Sequence, residues 1–153
     1  MKKKACFKKI SKYKYQLTEQ YEYTTNIIGY YGEMDFIKLE KTGKVVIYEN
    51  YAWDGASGPT IDTLNTIRAS LIHDALYQLS RNGCLSNISG EFKYKKFAKY
   101  ADKVLKKVLL EDNMNNKRAN LWYKALRLFN GIAANPKIHH DNFNENDIIC
   151  IPK

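Results

Sequence analysis

A chain of 153 residues has the usual size of one domain, and two domains would each be too small to bury a sizeable core. Hydrophobic residues make up 44% and charged residues 27%, with only 3 Pro and 8 Gly, which excludes a fibrous or disordered chain. Lys and Arg outnumber Asp and Glu by 25 to 16, for a formal charge of +9, so an anionic partner is favoured: nucleic acid, a phospholipid surface or a wall polymer.

The opening MKKKACFKKISKYK is basic like the n-region of a signal peptide, but Lys8, Lys9, Lys12 and Lys14 fall where an apolar stretch should follow. No signal peptide is expected. No apolar run approaches the roughly 20 residues that a membrane-spanning helix needs, so no transmembrane segment is expected either. Cys6, Cys84 and Cys150 lie far apart without CxxC spacing, and an odd count cannot be fully paired within the chain. A reduced compartment is the simpler reading.

From Tyr13 to Thr25 the residues alternate with a period of two, which predicts a strand or two strands in tandem. Met34 to Leu39 and Val45 to Tyr48 are β-rich runs flanking Lys41-Thr42-Gly43-Lys44, where Gly43 can supply the positive φ of a tight hairpin turn. After the loop Asp54-Gly55-Ala56-Ser57-Gly58-Pro59, Ile67, Leu71, Ala75 and Leu79 recur at i, i+4 spacing, so a helix is expected over Leu64 to Leu79. A polar loop through Asn82, Gly83 and Gly90 leads to a second helix, Phe92 to about Asp112, with Phe97, Tyr100, Ala101, Leu105, Val108 and Leu109 inward. The third helix runs from about Asn116 to Phe129 and stops at Asn130-Gly131. The tail from Asn135 reads as loop plus a strand over the apolar Ile148 to Ile151.

The expected fold is α+β, with N-terminal antiparallel strands followed by three helices. It is taken as one domain over 1–153, with a β region at about 13–52, a helical region at about 60–134 and a tail at 135–153.

His73 and Asp74 are neighbours on the first helix, so their side chains diverge by about 100° and must serve different partners. An imidazole among Leu71, Ile72, Ala75 and Leu76 is partly buried and needs an acceptor to fix its tautomer, which Asp102 on the next helix can supply. So held, neutral His73 would take a proton from water while Asp102 stabilises the imidazolium. Asp74 with Asp54 and carbonyls around Gly55 to Gly58 would make the hard oxygen cage that calcium prefers. Glycines at 55 and 58 allow those carbonyls to turn inward.

Each of these residues also has a plainer reading. Trp53 can fill the core while Asp54 caps a turn. Asp102 can sit on a lysine-rich surface and pair with Lys99 or Lys106. His139, His140 and Asp141 are adjacent in a polar loop and rarely converge on a metal without further ligands. Lys93, Lys95, Lys96, Lys99, Lys103, Lys106 and Lys107 make a solvated face, open to membrane or nucleic-acid contact.

In order, Asp54-Gly55-Ala56-Ser57-Gly58-Pro59, His73-Asp74-Ala75-Leu76-Tyr77 and Ala101-Asp102 resemble the site of secreted calcium-dependent phospholipases of the A-two type, above all the bacterial ones. The resemblance implies His73 as the water-activating base, Asp102 as its orienter, Asp54 and Asp74 as calcium ligands with loop oxygens, and Tyr77 as the motif tyrosine. Residues 25 to 131 are also similar to a family found in phages and prophages and marked by WDGAS-P and HDxxY. The chain lacks the cysteine framework of the secreted enzymes and carries an N-terminal strand region that they do not share.

Three functions remain open on these residues. The first is a calcium-assisted hydrolase of phospholipid esters. The second is a phage virion or host-interaction protein that binds an anionic partner, whether phospholipid, nucleic acid or another phage protein. The third is a peptidoglycan hydrolase. The implied location is the cytoplasm of the infected bacterium or the virion.

Overall fold

Alternation and turn chemistry build two antiparallel sheets, and helical periodicity builds a layer packed against them. The computed structural model describes residues 4–10, 13–56, 63–128 and 148–151. Its strands are β1 (Ala5–Lys9), β2 (Tyr15–Leu17), β3 (Tyr21–Thr24), β4 (Tyr30–Met34), β5 (Ile37–Leu39), β6 (Lys44–Ile47), β7 (Ala52–Trp53), β8 (Leu85–Asn87) and β9 (Ile149–Ile151). The helices are α1 (Leu64–Arg81), α2 (Tyr94–Glu111) and α3 (Asn116–Leu128). One sheet runs β7-β2-β1-β9 and the other β3-β6-β5-β4-β8.

The fold is therefore α+β, but the strands are not only N-terminal. β8 lies between α1 and α2 and pairs with β4, Tyr30 opposite Asn87, while β9 returns from the tail to pair with β1. The Tyr13 to Thr25 run divides in two, β2 joining the first sheet and β3 the second. Met34 to Leu39 is a hairpin in itself, since β4 and β5 meet with Met34 opposite Ile37. Between β5 and β6 the expected turn is present with Gly43 at φ 86°. A Cβ there would lie 2.7 Å from the Thr25 carbonyl oxygen, so glycine is needed for space as well as for conformation.

Cys6 and Cys150 correct the expectation of reduced thiols. They stand opposite each other in the β1–β9 pair and are joined by a disulfide, while Cys84 is free. A bridge spanning 144 residues removes much freedom from the unfolded chain, worth about 4–5 kcal/mol in the loop-entropy account. Such bridges persist in oxidising surroundings.

One continuous apolar cluster fills the space between sheets and helices, from Phe7, Tyr15 and Trp53 through Ile37 and Val45 to Leu71, Phe97, Val108 and Trp122. Each fully buried Leu, Ile or Phe contributes about 1.5–3 kcal/mol. Trp53 belongs to this core. Its ring lies 5.3 Å from Tyr15 and 5.8 Å from Phe7, and its indole N–H donates to Ser70 Oγ at 3.2 Å. Through β7, Trp53 fixes the start of the Asp54 loop against α1.

Helices α1 and α2 both end with a residue in the left-handed conformation. After α1, Gly83 at φ 68° lets the Cys84 N–H reach the Leu79 carbonyl at 3.1 Å; after α2, Asn113 at φ 64° does the same for Met114 and Leu109 at 2.9 Å. These stops turn the chain so that α1, α2 and α3 pack in series. No helix among the described residues is long and apolar enough to cross a membrane.

Candidate functional site

Packing of α1 against α2 brings together two residues that are 29 apart in sequence. His73, 7% exposed, places Nε2 2.9 Å from Asp102 Oδ1. A carboxylate only accepts, so Nε2 carries the proton and Nδ1 of the neutral ring keeps its lone pair. Tyr77, one turn after His73 on the same helix face, donates its hydroxyl to the same oxygen at 2.7 Å. Arg127 reaches across from α3 and donates from Nη1 to Asp102 Oδ2 at 2.8 Å.

Asp102 is fully buried, which excludes the surface pairing with Lys99 or Lys106. Burial alone would raise its pKa, but the bonds from His73, Arg127 and Tyr77 outweigh it and hold the carboxyl below its usual value. For His73, burial opposes the charged ring, while Asp102 and Asp74 together prevail and raise the pKa. Burial and then Asp102 push the Tyr77 hydroxyl up, so it stays a proton donor. The Tyr77 ring lies 4.2 Å from the imidazole centroid, and the Arg81 guanidinium lies over Tyr77 at 5.4 Å. His73 is thus gripped through its ring face and its Nε2.

The other nitrogen faces differently. His73 Nδ1 lies 3.7 Å from Asp74 Oδ1, and the Asp74 side chain is 29% exposed. Burial raises the Asp74 pKa, His73 works against this, and the charge of Asp54 raises it further. Asp54 and Asp74 are like charges, and that of Asp54 raises the proton affinity of Asp74. Both also push the Tyr51 hydroxyl up, after burial, and Tyr51 donates to Gln78 Oε1 at 3.0 Å. Asp54 itself is exposed, and Gly55 beside it is buried with φ 78°, a conformation that turns the loop backbone as only glycine does readily.

Of the expected site, His73, Tyr77 and Asp102 are brought into one hydrogen-bonded cluster with Asp74 at its edge, and Asp54, on the loop that Gly55 continues, is linked to it through its charge on Asp74. Ser57, Gly58 and Pro59 lie outside the described residues, as do His139, His140 and Asp141. Among the described residues no three of His, Cys, Asp and Glu converge on a metal position. The calcium site expected from the sequence takes only two side chains, Asp54 and Asp74, and otherwise uses carbonyls. Asp74, whose proton affinity is raised by burial and further by the Asp54 charge, is a donor that a divalent cation would relieve.

Arg127 was not visible as a site residue. It is one of four cationic positions on a helix with no acidic residue, and nothing local separates it from Lys124. Comparison adds no relative: no family model matches the chain, nor does any curated protein or solved structure.

Proposed function

We propose that this protein is a phage-type, calcium-assisted hydrolase that cleaves an ester of a phospholipid, with His73 as general base. The supporting observation is the asymmetry of the imidazole: Nε2 is fixed on buried Asp102, while Nδ1 is left toward partly exposed Asp74. Neutral His73 accepts a proton from water at Nδ1 as that water attacks the ester carbonyl. Asp102 stabilises the imidazolium, and Tyr77 and Arg127 keep Asp102 ionised and in place. The proton then passes from His73 to the leaving alkoxide, so that the free acid and alcohol depart.

Asp54, Asp74 and the Gly55 backbone would hold the calcium ion, whose chemistry is to polarise the ester carbonyl and stabilise the developing oxyanion. Calcium titration by calorimetry on wild type and Asp74→Ala is the test of the metal. Binding by wild type that disappears in Asp74→Ala supports the reading, and a wild type that binds no calcium contradicts it. A second reading is a non-enzymatic virion or host-interaction protein holding an anionic partner, which draws on the excess of positive charge on α2 and α3.

A further inference from the structure

The Cys6–Cys150 bridge lies where a small thiol can reach it. Side chains alternate across a strand, and Cys6 stands opposite Cys150, Lys8 opposite Gln16 and Gln16 opposite Ala52. These five residues therefore share one face of the first sheet. Lys8, Gln16, Ala52 and Cys150 are partly exposed and Cys6 is 9% exposed, so this is the outer face. The opposite face carries Ala5, Phe7, Tyr15, Leu17, Trp53 and Ile151, all in the core. The bridge stands outside the packing that it secures.

β9 depends on that bridge. The strand is three residues long, lies at the edge of its sheet and has β1 as its strand neighbour. Ile151 is its one buried residue. The gain from burying one isoleucine is comparable to the entropy lost in ordering three residues, so non-covalent contacts alone leave β9 marginal. What β9 covers leads to the His73 site. Ile149 stands opposite Phe7, whose ring lies 5.2 Å from Tyr15 and 5.8 Å from Trp53. Trp53 directly precedes Asp54 and donates to Ser70, one turn before Asp74 on α1.

We infer that Cys6 and Cys150 form a redox switch on the site. With the bridge closed, β9 is held on β1 and the start of the Asp54 loop is set against α1. With the bridge open, β9 leaves and β7 loosens, an order-to-disorder change of one segment. The reductant is a small thiol such as glutathione. Its thiolate attacks Cys150 Sγ, the S–S bond breaks, and Cys6 departs as a thiolate that takes a proton from water. A second glutathione thiolate attacks the glutathione sulfur of the mixed disulfide and frees Cys150, so two thiols supply the two electrons and leave as glutathione disulfide. Glutathione disulfide closes the bridge by the same steps reversed. Such a switch keeps a lipid hydrolase idle in a reducing cytoplasm and sets it to work where the surroundings oxidise. That the activity restrained is phospholipid hydrolysis rests on the reading of His73 above, whereas the switch itself requires no turnover.

The test uses the full chain carrying Cys84→Ser, so that the bridge is the only cysteine chemistry, in glutathione buffers from reduced to oxidised. Hydrogen exchange followed by mass spectrometry reads the structure. On reduction the β9 amides exchange on the order of a hundredfold faster and those of Ala52 and Trp53 about tenfold faster, while α1 and α2 keep their protection. Fatty-acid release at saturating calcium falls by about ten- to a hundredfold and returns on reoxidation. Cys6→Ser/Cys150→Ser in the same background behaves as the reduced form in every buffer. A bridge that reduced glutathione leaves closed in the folded protein overturns the inference, as do β9 or β7 amides that reduction does not change. Faster exchange through α1 and α2 as well also overturns it, because the bridge then supports the whole fold. So does release that is measurable and equal in both forms. Release absent from both forms, with the exchange changes present, removes phospholipid hydrolysis and leaves the switch standing.

Discussion

Two buried ionic clusters join α1 to α2, and they are built on opposite plans. At one end Arg68, 2% exposed, donates from Nε and Nη2 to Asp112 at 2.8 and 2.7 Å, from Nη2 to Glu111 at 3.1 Å, and from Nη1 to the Tyr21 hydroxyl at 3.1 Å. Each of its nitrogens has a protein partner, so the guanidinium is a closed clamp between α1, α2 and β3. At the other cluster His73 is held by Asp102 through one nitrogen, and its second faces a partly exposed carboxylate 3.7 Å away. Burial with complete pairing fixes a structure, whereas burial with one lone pair turned toward a partly exposed carboxylate can do chemistry.

The comparison is broken most severely from the closed side. Arg68→Met leaves Asp112, Glu111 and Tyr21 without their shared donor, and urea unfolding should show a loss of about 3–5 kcal/mol. His73→Gln should do the reverse, lowering fatty-acid release by about 10²–10⁴-fold with little change in the unfolding midpoint. Should Arg68→Met be the mutation that abolishes turnover while the fold survives, the assignment of roles is inverted.

Arg127 sharpens the contrast, because it reaches Asp102 from a side chain that is 29% exposed. Solvent screening keeps its value low, and Arg127→Gln should cost about 1 kcal/mol of stability by urea unfolding. Its larger mark should fall on turnover, since Asp102 loses its only partner from α3 among the described residues.

The smallest effect is a pH dependence. Asp102 has its folded pKa below the unfolded value, so its contribution is present above about pH 4 and is lost as pH falls through the folded pKa. Urea unfolding should show wild type more stable than Asp102→Asn at pH 6, with the gap narrowing steadily below pH 4. A gap that widens on acidification would reverse the sign of the shift.

The legible parts of this molecule were those that local pattern decides. The three helices follow from apolar residues at helical spacing, and their observed limits fall close to the expected ones. β1 was hidden because its buried Ala5 and Phe7 sit among lysines in a stretch whose charge dominates the reading. The β4–β5 turn, Asp35-Phe36, contains no glycine or proline to mark it. β8 is three residues long and acquires meaning only from its distant partner β4, whereas the apolar Ile148 to Ile151 marked β9 but not its pairing with β1.

The same division holds for the site. His73 and Asp102 could be paired from sequence because each sits on a helix whose inward face was evident. Arg68 could not be anticipated, since an arginine in an apolar helix finds Asp112 and Glu111 only when the C-terminal end of α2 is folded back 43 to 44 residues away. Arg127 depends likewise on the packing of α3. The disulfide depends on pairing the two ends of the chain's described strands.

The most direct measurement of the central claim is the initial rate of fatty-acid release from mixed phospholipid vesicles at saturating calcium, for wild type and for His73→Gln. The account predicts calcium-dependent release by wild type and at least about a hundredfold less by the variant. No release by wild type, or equal release by both proteins, would contradict it.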